Sequence, residues 1–170
     1  MTPRAFLRLA LAGFALAVGP VLPAAAHPHV FVSARAEILY TPDGAVKGVK
    51  HVWSFDEAYS AYITQGLDKN GDGIFTAEEL AELAKVNVES LPDVGFFTTV
   101  KANGKTQEFG TPGEASLAYD KKILTLTYTL PLKTPAVASR SFGIEIGDPT
   151  YFVAFTIDER PDAIITRDAP

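Results

Sequence analysis

The chain has no cysteine among its 170 residues. That excludes disulfides, thiolate metal centres and cysteine nucleophiles. Methionine and tryptophan occur once each and histidine three times, so imidazole chemistry is confined to His27, His29 and His51. Basic charge is short: 15 Lys and Arg stand against 20 Asp and Glu, for a net charge of −5. A chain of that sign is not built to neutralise phosphates, which excludes nucleic acid as a partner. The N-terminal apolar stretch Leu9–Leu22 is shorter than the roughly 20 residues of a membrane-spanning helix and is broken by Gly19-Pro20. Glycine-rich phosphate loops, a Ser-centred elbow, an HExxH helix, repeats and low-complexity tracts are all missing.

What is present begins with Arg4 and Arg8 ahead of that apolar stretch, which ends in Ala24-Ala25-Ala26. This is the pattern of a secretory signal peptide, residues 1–26, cut after Ala26. Its removal takes away two arginines and makes the rest, residues 27–170, still more acidic. A chain of that size suits one domain, with no membrane span after cleavage. The Ala-rich leader and the lack of disulfides point to a bacterial periplasm.

Val30 to Tyr40 and Val46 to Phe55 are rich in β-branched and aromatic residues and flank Thr41-Pro42-Asp43-Gly44, which reads as a hairpin. Counted from that turn, His51 falls opposite Arg35, and Asp56 and Glu57 opposite Val30 and His29. Tyr59, Tyr62, Ile63 and Leu67 then recur at helical spacing, with Ser54 and Glu57 as a candidate capping box. A second helix is expected from Ala77 to Leu91. Strands return at Phe96–Lys101, Thr106–Phe109, Ala115–Tyr119, Ile123–Leu132, Phe142–Ile146 and Tyr151–Ile157, with Asn103-Gly104 suited to a type I′ turn. Strands on both sides of a helix pair imply an α+β fold, a mostly antiparallel sheet or sandwich with an inserted helix-loop-helix at about 56–91.

Between the two helices, residues 68–79 fill every diagnostic position of an EF-hand calcium loop. Calcium is a hard cation that takes six to eight oxygens. Asp68, Asn70 and Asp72 offer side-chain oxygens, Ile74 its carbonyl, Thr76 a direct or water-mediated contact and Glu79 both carboxylate oxygens, while Gly73 permits the sharp turn. EF-hand sensors usually come in pairs and no second loop is present. The expected role is therefore a structural clamp between the helices.

The histidines suggest a second metal. After cleavage His27 would be the first residue, and its α-amino group and imidazole could chelate together, with His29 and the carboxylates Asp56 and Glu57 nearby. Amine and imidazole donors suit Zn, Ni, Co or Cu.

His27-Pro28-His29-Val30-Phe31, Trp53-Ser54-Phe55-Asp56-Glu57, the acidic glycine loop and Gly147-Asp148-Pro149-Thr150-Tyr151-Phe152 together resemble the DUF1007 family, exported bacterial proteins often labelled as periplasmic components of uncharacterised ABC-type transport systems. The resemblance covers nearly all of residues 27–157. It implies a periplasmic protein linked with transition-metal transport and with a membrane metal transporter as partner, and it supplies no catalytic residue. Gly147-Asp148-Pro149 stands where the family has Tyr-Asp-Pro, which keeps Asp148 as a further candidate ligand.

The favoured expectation is a non-enzymatic metal-binding or metal-handling accessory protein with one structural calcium site. A copper-dependent enzyme using an N-terminal histidine brace and an interaction domain whose only ion is calcium are the alternatives.

Overall fold

The computed structural model describes residues 28–160 and 162–166. The expected signal segment and His27 lie outside the described residues. The fold is α+β and rich in strand, and its main sheet is built around β1 (Val30–Tyr40) and β2 (Val46–Phe55). Val30, Val32, Ala34, Ala36 and Ile38 alternate into one buried face of β1, as strand geometry requires. Outside β2 lie β6 (Ile123–Ala136) and β5 (Gly113–Asp120), and on the other edge of β1 lies β8 (Val153–Ile157). β9 (Ile164–Thr166), unforeseen from sequence, pairs with the same edge further along. Both β8 and β9 run parallel to β1; the pairs β1–β2, β2–β6 and β5–β6 are antiparallel. A second sheet has the order β4 (Lys105–Thr106), β3 (Thr98–Ala102), β7 (Phe142–Ile146).

The buried face of the main sheet is covered in two parts. At one end Leu80, Ala84 and Val88, one stripe of helix α2 (Ala77–Ser90), pack with Leu91 on Val30, Val32, Trp53, Leu117 and Leu126. At the other end Val100 of the small sheet and Leu132 meet Ala36, Ile38, Val46 and Val49. Burying a side chain such as Leu80 contributes about 1.5–3 kcal/mol. Helix α1 (Glu57–Ile63) is anchored to the main sheet by a buried hydrogen bond from the Leu124 amide to Ser60 Oγ, 2.9 Å.

The strand expected at Thr106–Phe109 is instead the short β4 followed by a single bridge from Phe109 to Leu132, and four further expectations are corrected. A bulge at Lys47, between the pairs Tyr40↔Val46 and Leu39↔Gly48, advances the hairpin register by one, so His51 faces Ala36 and not Arg35. The bulge also rephases the alternation, turning Val49, His51 and Trp53 inward. Helix α1 stops at Ile63, short of Leu67, with Gly66 at φ +78° in the turn beyond. Ser54 is no cap: it is still in β2, its hydroxyl 3.1 Å from Thr125 Oγ1, and Asp56 caps α1 through Oδ1 to the Tyr59 amide.

The fourth concerns Phe96 and Phe97, expected in a strand. They end a 3₁₀ segment, Leu91–Phe97, with Gly95, Phe96 and Phe97 at φ 60°, 58° and 47°. Left-handed backbone in bulky residues costs on the order of 1–3 kcal/mol each. Packing holds it in place: Phe96 sits edge-on to Phe109 while Phe97 turns to Trp53 and Phe155. At Asn103-Gly104 both φ angles are positive, 52° and 81°, as a type I′ hairpin demands.

Candidate functional site

The loop 68–79 closes on itself through its own side chains. Asp68 Oδ1 accepts the Gly71 and Asp72 amides at 2.8 and 3.2 Å, and Oδ2 accepts the Gly73 amide at 2.9 Å. Asn70 Oδ1 accepts the Asp72 amide at 3.0 Å, while its Nδ2 donates to Asp72 Oδ2 at 2.9 Å. Asp72 Oδ1 takes the Ile74 amide at 2.8 Å. Gly71 and Gly73 adopt φ of 73° and 78°, a conformation natural to glycine, and this draws successive amides toward the carboxylates.

Glu79 completes the ring from the first turn of α2. Its Oε1 accepts the Lys69 amide at 2.9 Å, and Oε2 accepts both the amide and the hydroxyl of Thr76 at 3.0 Å. The Glu79 amide returns a bond to Thr76 Oγ1, which makes a capping box. The Thr76 and Lys69 amides and the Thr76 hydroxyl hold the Glu79 carboxyl below its usual pKa. Phe75 fixes the loop to the sheet by packing on Tyr119 of β5, ring centroids 4.7 Å apart.

Three carboxylates, Asp68, Asp72 and Glu79, are thus gathered in one loop, and among the described residues none forms an ion pair with a basic side chain. The donor set is all oxygen, and an oxygen that accepts one amide keeps a second lone pair. That chemistry fits a hard cation. As placed, the oxygens face amides, and no group of three His, Asp or Glu among the described residues stands ready to hold a metal ion.

The other expected ligands sit on separate elements around the start of β1. His29, exposed, donates its amide to Phe152 O at 2.9 Å and rests its ring on Phe152, centroids 4.9 Å apart. Asp56 Oδ2 accepts the Phe31 amide at 2.9 Å, and the Asp56 amide donates to Phe31 O. The advanced register therefore sets Asp56 beside Phe31 and not Val30. Asp148 Oδ1 accepts the amide and hydroxyl of Thr150, and Oδ2 accepts the Val153 amide at 3.0 Å. Partial burial would raise the carboxyls of Asp56 and Asp148, but their hydrogen bonds outweigh it and both fall below the usual value. Glu57 is exposed on the first turn of α1. His29 is thus tied to Phe152, Asp56 to Phe31 of β1 and Asp148 to Val153 of β8, which pairs with Val30, while His27 lies outside the described residues.

His51 lies elsewhere, fully buried between Trp53 and Tyr128. Burial pushes its pKa down to about 3, so it is a neutral core residue. Three buried side-chain polar atoms among the described residues lack a hydrogen-bond partner, and they belong to these same rings: His51 Nδ1, Trp53 Nε1 and Tyr128 Oη. Burial raises the Tyr128 phenol far above its ordinary value, and Thr98 beside it offsets only a part. Sequence reasoning missed this cluster because its members come from β2 and β6, which share no motif.

Among the described residues no helix is long and apolar enough to cross a membrane. No curated protein and no solved structure matches the chain. Residues 12–170, nearly the whole chain, match the family described as "Protein of unknown function (DUF1007)", and the chain belongs to that family.

Proposed function

We propose that this is an exported, non-enzymatic metal-binding protein of the bacterial periplasm, in which loop 68–79 holds one calcium ion as a structural clamp between α1 and α2. The observation that supports the reading is the closed loop, in which Glu79 reaches back from α2 to the Lys69 amide and Asp68, Asp72 and Glu79 carry no ion pair with a basic side chain among the described residues. Residues Asp68, Asn70, Asp72, Ile74, Thr76 and Glu79 would hold the ion, which supplies the positive charge the loop lacks. Phe75 on Tyr119 would pass that order to the sheet.

A second, transition-metal role is supported by the attachment of Asp56 to the start of β1, and of His29 and Asp148 to the adjoining chain at Phe152 and Val153. A processed amino terminus at His27 would add an amine and an imidazole, a donor set for Zn, Ni, Co or Cu. Handling such a metal beside a membrane metal transporter is the activity this supports. The test is elemental analysis of the processed protein purified from periplasm without chelator or tag. One equivalent of calcium supports the clamp, and a transition metal that is lost in His29→Ala supports the second site. Protein that takes up neither metal on dialysis overturns both.

A further inference from the structure

Three cavities on the surface meet at Phe97, which lines them all. One of them, about 340 Å³, is walled by rings, among them Trp53, Tyr59, Phe97, Phe152 and Phe155. Trp53, Phe97 and Phe155 touch one another, with centroids 5.1, 5.3 and 6.3 Å apart. The charged residues lining the three cavities are all acidic: Asp93 lines two of them, Asp148 two, and Glu145 one. No Lys, Arg or His lines any of them among the described residues. Asp93 has no ion-pair partner there either.

The cavity wall includes strained backbone: Phe97 ends the left-handed run 95–97, and Tyr151, φ 60°, lines the adjoining cavity that also meets Phe97. A hydrogen bond of 2.9 Å from the Gly147 amide to Phe97 O ties the two loops together. Strain of this kind in bulky residues is held where a surface must have a particular shape.

We propose that this aromatic cavity binds a small organic cation, an alkylated ammonium with an apolar body. Ring faces attract a cation through their quadrupole, and an alkylated ammonium, weakly hydrated, enters an apolar wall more readily than a metal ion does. The rings offer no oxygen set for calcium. The acidic border repels anions and favours the positive head at Asp93. The site is separate from loop 68–79 and stands whether or not that loop takes calcium.

Trp53 is the only tryptophan of the chain, so its fluorescence reports occupancy directly. The full processed protein, with calcium saturating, is titrated with choline and with its uncharged isostere 3,3-dimethyl-1-butanol. Choline is expected to give a saturable change, and the isostere to bind at least about tenfold more weakly, which corresponds to roughly 1.4 kcal/mol. Phe97→Leu and Asp93→Asn are each expected to weaken choline about threefold or more. Asp93 is exposed, so its variant keeps the test sound if Phe97→Leu fails to fold. Equal binding of the two probes, or no saturable change with choline, overturns the proposal.

Discussion

His51 and Tyr128 stand opposite each other on β2 and β6 and stack with ring centroids 4.9 Å apart and planes 19° from parallel. The stack sits in the core, where an imidazolium would have to shed its water. In the unfolded chain the imidazole titrates near 6.5; in the fold it is held at about 3. Above pH 6.5 neither state is protonated and His51 does not affect stability. Between pH 6.5 and 3 the unfolded chain takes up a proton that the folded one refuses, so stability falls with pH. At pH 5 the loss is about 2 kcal/mol, at roughly 1.4 kcal/mol per pH unit. Urea melts at pH 7 and pH 5 should show it, and His51→Leu should remove most of it. An equal pH 5 loss in both proteins would assign the effect elsewhere.

Calcium should raise the melting temperature, because an ion bound only by the folded state stabilises that state. Glu79→Gln should abolish the rise, since an amide nitrogen replaces one of the two carboxylate oxygens. Scanning calorimetry of both proteins, with calcium and with chelator, checks this. Identical melts in all four conditions would leave loop 68–79 without the ion.

Ser60→Ala should cost about 1–3 kcal/mol, because it leaves the buried Leu124 amide without an acceptor. It also removes the anchor of α1 on β6. Denaturant unfolding should show a lower midpoint with an unchanged slope. A loss under about 0.5 kcal/mol would mean that water satisfies the amide instead.

The β5–β6 hairpin turns on Lys121 and Lys122 at φ 49° and 68°, between the paired residues Asp120 and Ile123. A type I′ turn favours Asn-Gly at these positions. Lys121→Asn with Lys122→Gly should therefore stabilise the fold by roughly 1 kcal/mol, because lysine is strained where Asn and Gly are at ease. A melting temperature at or below that of the parent would show that the lysines contribute something the turn geometry does not reveal.

The strand pattern and the loop were legible because each rests on local chemistry. Alternation in 30–40, the Asn103-Gly104 turn and the Thr76–Glu79 cap all appear in the fold as the residues imply. What escaped depends on distant partners. The bulge at Lys47 has no local sign; it goes with the close approach of β6 at Gly48, where an added Cβ would lie 2.8 Å from Leu130 O. Phe96 and Phe97 look like strand residues and are turned left-handed by rings contributed from residues 53, 109 and 155. The same holds for the candidate sites. Loop 68–79 is contiguous and could be read, while the aromatic cavity draws its walls from β1, β2, β8 and the end of α2 and could not.

β8 and β9 lie end to end along one edge of β1, pairing with residues 30–34 and 36–38. The strand made first is therefore completed by those made last. Until residues 153–166 emerge, one edge of β1 offers bare amides and carbonyls, while β2, β6 and β5 can already pair on its other side. Closing so wide a loop is slow, since its entropy is lost before any contact repays it. The edge of β1 that takes β8 and β9 therefore stays open until nearly all of the chain has been made, and its closure is the last pairing the sheet can gain.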